Sequence, residues 1–445
     1  MSTPLLPISL KEWEYRTPDS PGSKLANVVL EHDAQTKQIV QKLSESGILT
    51  IVELRDGLSI RTSSYVGRIT LGNMQITVQP KISGAPFIRL LRYAYDLRDL
   101  KFQALARYHS EQDAFQELLI SQLLGEINEL VARGLQRKYV RTEDNLASPR
   151  GKINIQRIAN QGGTLQATLP CTYHPRLEDC LANQVLLQGL LLAARLTNDS
   201  TLRIQLYRLA RSFQEDVSSI QLDHHVFKQL DREMNRLIAA YKSAITLIEL
   251  LFAAKGIALD EESAHMQLPG FLFDMNLFFQ ALLSRFLKEH LPGYIVQDQY
   301  KILNMMSYDP AHNPRKRQAP KPRPDYVILQ KTNVVAILDA KYRDLWENTL
   351  SEHMLYQLAM YALSQPEGME AVILYPTMHA DAQEARILIH DPIYRTNRAA
   401  VVLRPVNLME LDQLVAGKTT IDTTRKQAAF AECLAFGKGN TMRIL

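Results

Sequence analysis

The feature that most limits how this chain can fold is a pair of apolar runs, Tyr326–Leu329 and Val334–Leu338, split by the polar stretch Gln330–Asn333. Two β-branched runs around a short polar turn make an antiparallel hairpin. A turn centred on Lys331–Thr332 sets Asp325 beside Leu338 and Asp339, and a one-residue shift sets the two acids directly opposite. Alternate residues of a strand share a face, so Asp339 and Lys341 point the same way. Two carboxylates and an ammonium therefore meet at one end of an apolar hairpin, where unpaired charge is costly. Carboxylate oxygens suit Mg²⁺, which sits beside substrate phosphates. A lysine at such a place can steady charge that develops on a phosphate.

Pro324-Asp325 followed by Asp339-Ala340-Lys341 resembles the PD-(D/E)XK motif of nucleases. Five basic residues (Arg315, Lys316, Arg317, Lys321, Arg323) and no acidic one lie just upstream. Such a run suits a polyanion, and equally describes a solvated loop. Downstream, Thr349-Leu-Ser-Glu352 has capping-box spacing and predicts a helix reaching about Ser364. Gln357 and Tyr361 share one face of that helix. Their Gln-X-X-X-Tyr pattern is similar to an extra motif of RecB-like nucleases, where it lies by the active site.

Composition restrains the reading without deciding it. The chain has 445 residues, 46% apolar and 22% charged, so two or three ordinary globular domains are expected. A net charge of +4 permits nucleic-acid binding without demanding it, which moves the argument to local charge. Three cysteines (Cys171, Cys180, Cys433) form no Cys-X-X-Cys pair and fit a reducing cytoplasm. Met1–Pro7 does not read as a secretion signal. The most apolar stretches, Val185–Leu196 and Ala244–Leu259, carry polar interruptions and read as core helices.

From the start, Ile48–Leu54, Leu58–Arg61, Val66–Leu71 and Met74–Val78 read as strands, with Gly72-Asn73 a tight hairpin turn. Helical spacing follows from about Pro86 to Leu135 and again over 202–255. Arg137, Lys138, Arg141, Arg150 and Lys152 contact DNA or an acidic partner, or, on the plainer reading, only solvate a surface. Glu178, Asp179 and Asn183 read as caps and partners of the helix after them. His224-His225 are adjacent, hence about 100° apart on a helix and poor joint metal ligands. After Pro269-Gly270, Phe271–Phe286 reads as one apolar helix covering a sheet. Strands are expected near Tyr294–Gln299, Glu370–Tyr375, Arg386–His390 and Ala400–Leu403, with a helix at Leu408–Val415. Gly417-Lys418-Thr419 is no P-loop, because Asp412 stands where the first glycine is required.

Over roughly residues 50–405 the chain resembles the McrC family, nuclease subunits of McrBC-type restriction systems. Gly67 with Pro80-Lys81-Ile82, Glu143-Asp-Asn-Leu146 with Arg150-Gly151, Asp179 and Asn183, Phe273-Asp-Met-Asn276, and the Asp325/Asp339/Lys341 set carry the resemblance. It implies a multidomain α+β protein. A β-rich partner-docking module would span 1–84 and a mainly helical region 85–265. A PD-(D/E)XK, restriction-endonuclease-like α/β domain would span 266–445. It further implies a Mg²⁺-dependent endonuclease, with Mn²⁺ able to substitute, and a cytoplasmic protein off the membrane. Its partners would be a hexameric McrB-like AAA+ NTPase, GTP-using in the best-known branch, and double-stranded, modified DNA. Asp325, Asp339 and the Ala340 carbonyl would hold the metal. Lys341, Gln357 and Tyr361 would complete the site. Gln280 stands where family members commonly carry Glu; a neutral amide orients water but adds no charge, and Asp274 is a candidate substitute. Two other readings stand beside this one: a nuclease-fold scaffold that only activates the NTPase, and a stand-alone RecB-like repair nuclease.

Overall fold

The computed structural model describes residues 6–30, 34–97, 114–160, 167–236, 238–254, 270–303, 305–365, 370–417 and 420–437. Pro269, the apolar run beyond Ala254 and Lys418-Thr419 lie outside them. The chain forms two compact units, residues 1–99 with 273–445, and residues 100–272. The sequence suggested three consecutive segments; by contacts, the N-terminal strands and the C-terminal sheet share one unit.

In the first unit, β1 (Leu6–Lys11) and β2 (Tyr15–Arg16) precede α1 (Ala34–Glu45). Next come β3 (Leu49–Leu54), β4 (Gly57–Thr62), β5 (Tyr65–Leu71), β6 (Met74–Gln79) and α2 (Gly84–Tyr95). β5 and β6 form the expected hairpin, and β1 runs parallel to β6. β2, β4 and β3 make a separate sheet. Gly57, at φ +144°, opens β4 where a Cβ would sit 2.1 Å from the Leu25 carbonyl oxygen. Only glycine fits that approach.

The second unit holds α3 (Ala114–Arg133), β7 (Lys138–Tyr139), β8 (Thr142–Leu146), β9 (Lys152–Ile153), α4 (Ile155–Asn160), β10 (Leu169–Tyr173) and β11 (Arg176–Leu177). The helices α5 (Leu181–Leu196), α6 (Ser200–Gln214), α7 (His224–Glu233) and α8 (Lys242–Ala254) follow. Small sheets β8-β10-β9 and β11-β7 accompany them. The residues flagged by sequence serve structure here. Asn183 donates to the carbonyls of Gln136 and Glu178 and accepts from the Tyr241 hydroxyl. Asp179 accepts from Gln184 and from Ser218. His224 packs edge-on against Phe252.

β12 (Gly270–Asp274) and α9 (Met275–His290) replace the single helix expected over 271–286. Phe271-Leu-Phe273 are strand formers, and the Asp274 side chain caps α9 by accepting from the Asn276 amide. Then come β13 (Ile295–Asp298), β14 (Tyr326–Gln330), β15 (Asn333–Ala340), α10 (Glu352–Leu363), β16 (Glu370–Thr377), β17 (Ala385–His390), β18 (Asn397–Asn407), α11 (Leu408–Ala416) and α12 (Ile421–Phe436). The large sheet has the order β13-β14-β15-β16-β18-β17. β15, β16 and β18 are parallel, while β13, β14 and β17 pair antiparallel with their neighbours. Its centre is apolar on both sides, with Val327, Ile337 and Ile373 packed under Leu358 and Tyr361 of α10. The Thr349–Glu352 capping box does not form. Ser351 is the N-cap, so Glu352 is the first helical residue and cannot reach back as a third-position partner.

Candidate active site

The hairpin β14–β15 determines the site. Its turn keeps two residues, Lys331 at φ +57° and Thr332, between Gln330 and Asn333, which pair. That turn alone would leave Asp325 opposite Leu338. A bulge between Ile328 and Leu329 shifts the pairing, so Tyr326 faces Leu338. Asp325 then stands opposite Asp339. The one-residue shift comes from within the strands, not from the turn.

Strand alternation sorts the side chains. Tyr326 points toward α9, where its hydroxyl donates to the Gln280 carbonyl at 2.7 Å. Val327 and Ile337 point toward α10. Asp325, Asp339 and Lys341 therefore lie on the α10 side of the sheet end. The Lys341 ammonium is 3.0 Å from Asp339 Oδ2. Asp325 accepts from the Ala340 amide at 2.8 Å and from Gln299 Nε2 at 2.9 Å. Both acids are buried, at 6% and 3% exposure.

Burial, then the charge of Asp339, pushes the Asp325 carboxyl up to about 6; the Ala340 amide and Lys341 act against the rise. Burial acts against the Lys341 ammonium, yet Asp339 and Asp325 outweigh it and hold its pKa above the usual lysine value. On α10, Gln357 donates to the Tyr361 hydroxyl at 3.0 Å. Burial raises that phenol, and both acids add to the rise, which sets it within their field. Two buried acids that repel each other, next to one ammonium, form a donor set that a hard divalent cation relieves.

The structure thus gathers Asp325, Asp339, Ala340, Lys341, Gln357 and Tyr361. Gln280 reaches the hairpin through its backbone carbonyl, and its side chain makes no hydrogen bond to either acid. Asp274 is spent as the α9 cap. Asn276 links Ser64 to the Tyr342 amide, which accounts structurally for the Phe-Asp-Met-Asn pattern. Gln299 was missed by sequence reasoning. It follows the four-residue edge strand β13, whose pairing of Asp298 with Tyr326 puts Gln299 beside Asp325. The basic segment upstream is exposed at Arg315, Lys316, Arg317, Lys321 and Arg323.

The fold and site define a mixed helix-and-sheet protein with a carboxylate–lysine cluster at one end of its largest sheet. A family model, McrBC 5-methylcytosine restriction system component, matches residues 60–376. The chain belongs to that family. A solved half-complex of Thermococcus gammatolerans McrB AAA+ hexamers with bound McrC contains a similar chain, at 21% identity and TM-score 0.57. The match covers 95% of this chain and 99% of that one. A cryo-EM structure of the T. gammatolerans McrBC complex matches at 20% identity and TM-score 0.45, over 64% of this chain and 88% of that one. No curated protein matches.

Proposed function

We propose that the chain is the McrC-type nuclease subunit of an McrBC-like restriction system. It cuts double-stranded, modified DNA with Mg²⁺ when driven by a separate McrB-like AAA+ NTPase hexamer, whose hydrolysis it stimulates. The reading rests on one observation: Asp325, Asp339 and Lys341 converge on one buried spot, in a member of this restriction family. The PD-(D/E)XK assignment of the large sheet follows from the same triad. The similar T. gammatolerans chain, found with McrB AAA+ hexamers, supports the partner.

Asp325 and Asp339 are the metal ligands, with the Ala340 carbonyl a third. Mg²⁺ held there supplies Lewis-acid polarisation of the scissile phosphate. Gln299 and the Ala340 amide fix the Asp325 carboxylate, so it is oriented before any cation arrives. Lys341, kept protonated by the two acids, presents its ammonium to a phosphate oxygen and orients the attacking water. Gln357 fixes the Tyr361 hydroxyl, which positions the lysine or the substrate. The exposed basic segment 315–323 is suited to tracking the DNA backbone without reading bases. Target choice falls to the partner.

The decisive experiment is Asp339→Ala in the reconstituted complex. Cleavage should fall by about a thousandfold or more, with NTPase stimulation unchanged. One observation favours the scaffold alternative: Gln280 is neutral and makes no side-chain hydrogen bond to either acid, so only two carboxylates and the Ala340 carbonyl would hold the metal. That alternative wins if the parent complex never cuts with Mg²⁺ or Mn²⁺. Robust cutting of unmodified DNA without any NTPase would instead support the repair-nuclease reading.

A further inference from the structure

Tyr342 and Asp344 lie just past Lys341, and the Tyr342 ring packs against Phe279 of α9. Three side chains of this region offer ligand atoms that all lie within 4.8 Å of one another: Asp344, Glu347 and His379. Their backbones are well fixed. The 344–348 loop is a tight turn in which Asp344 Oδ1 accepts from the Trp346 amide, and the Asp344 carbonyl accepts from the Asn348 amide and side chain. His379 follows β16. Its amide donates to Thr377 Oγ1, and its carbonyl accepts from Asn407.

A second observation points to a ligand. Glu12, Trp13, Lys81, Tyr342, Asp344 and Thr377 line one cleft of about 20 Å³, room for a water molecule. Glu12 is 1% exposed. Its Oε1 is satisfied by the Lys81 amide at 2.8 Å and the Tyr342 hydroxyl at 3.0 Å. Its Oε2 is buried and has no hydrogen-bond partner. A buried carboxylate oxygen left alone is costly, and a strongly polarised water is the donor it lacks.

We infer that Asp344, Glu347 and His379 bind a divalent transition-metal ion, distinct from the Mg²⁺ of the catalytic cluster, whose bound water donates to Glu12 Oε2. Metal–ligand bonds of about 2.1 Å put ligand atoms roughly 3–4 Å apart, so these side chains need only a small rotation. His379 Nε2 and Glu347 Oε1 are already 2.9 Å apart, the spacing of neighbouring ligands. An imidazole with two carboxylates favours Zn²⁺ or Mn²⁺ over Mg²⁺. Lys81 is the competing cation, 3.6 Å from Glu347 and partly exposed, so it can swing outward. The ion would join the loops that follow β15 and β16 and tie them to the N-terminal segment. Trp13 already anchors that segment by donating to the Tyr342 carbonyl at 3.0 Å. It would thus brace the strand end that carries Lys341.

The test uses the full chain carrying Asp325→Asn and Asp339→Asn, which silences the first cluster, so the result does not depend on the nuclease reading. After chelator stripping, calorimetric titration with Zn²⁺ should give one site with a Kd of about 10 µM or tighter. Adding His379→Ala, or separately Glu347→Gln, should weaken it by about tenfold or more. Zn²⁺ should raise the melting temperature of the double variant and leave the His379→Ala version unmoved, which separates a lost site from a lost fold. The inference is overturned if the double variant binds no Zn²⁺ at about 100 µM, or if binding is the same with and without His379.

Discussion

Two basic segments look alike in sequence and differ in structure. In the second unit, Arg137 pairs with Glu178, Lys138 with Glu233 and Arg141 with Glu143. In the first unit, Arg315, Lys316, Arg317, Lys321 and Arg323 are exposed, and none makes an ion pair among the described residues. The second segment also ends two residues before a buried carboxylate. A cation already matched to a fixed glutamate has less to give a polyanion than one facing only water. Charge counts cannot separate the two; local pairing does.

Arg317→Ala, Lys321→Ala and Arg323→Ala together should weaken duplex DNA binding about ten- to a hundredfold and lower the salt slope by about 3, measured by anisotropy across a salt series. Equal losses from Arg137→Ala, Lys138→Ala and Arg141→Ala would erase the distinction. A second test contrasts buried acids. Glu249 of α8 makes no ion pair among the described residues, and burial, then the charge of Asp231, pushes its carboxyl up to about 7. A raised acid holds its proton more tightly in the folded state. Stability should therefore fall as pH rises from about 4.5 to 7. Glu249→Gln should remove that slope and stabilise the protein by up to about 2 kcal/mol above pH 7, read from denaturant melts at several pH values. Smallest of all, Arg141→Ala should shift stability by less than about 0.5 kcal/mol, because its pair with Glu143 is exposed.

Much of the fold was open to sequence reasoning because it rests on local pattern. Alternating and β-branched runs located β3 to β6 and β14 to β18 within a few residues, and helical spacing located α5 and α11. The misplacements have local causes too. Asp274 ends a strand where uniform apolarity suggested a helix, and Ser351 takes the capping position that Thr349 seemed to own. The three acid and lysine positions were legible as a motif. Their register was not, because a bulge at Ile328/Leu329 sets it and no residue there announces one. Gln299 was hidden on a short edge strand. Glu12 was beyond reach, since it meets Tyr342 across 330 residues of chain, a contact no sequence period encodes.

That bulge has a consequence for how the hairpin can change over generations. Since an irregularity inside the ladder, and not the loop, brings Asp325 level with Asp339, lengthening the loop by one residue need not be fatal. A compensating loss of the irregularity would restore the alignment. Removing the irregularity alone would slide every later side chain of β15 to the opposite face and carry Asp339 and Lys341 away from Asp325 together. Relatives should therefore couple loop length with the regularity of the strand, so that neither drifts without the other.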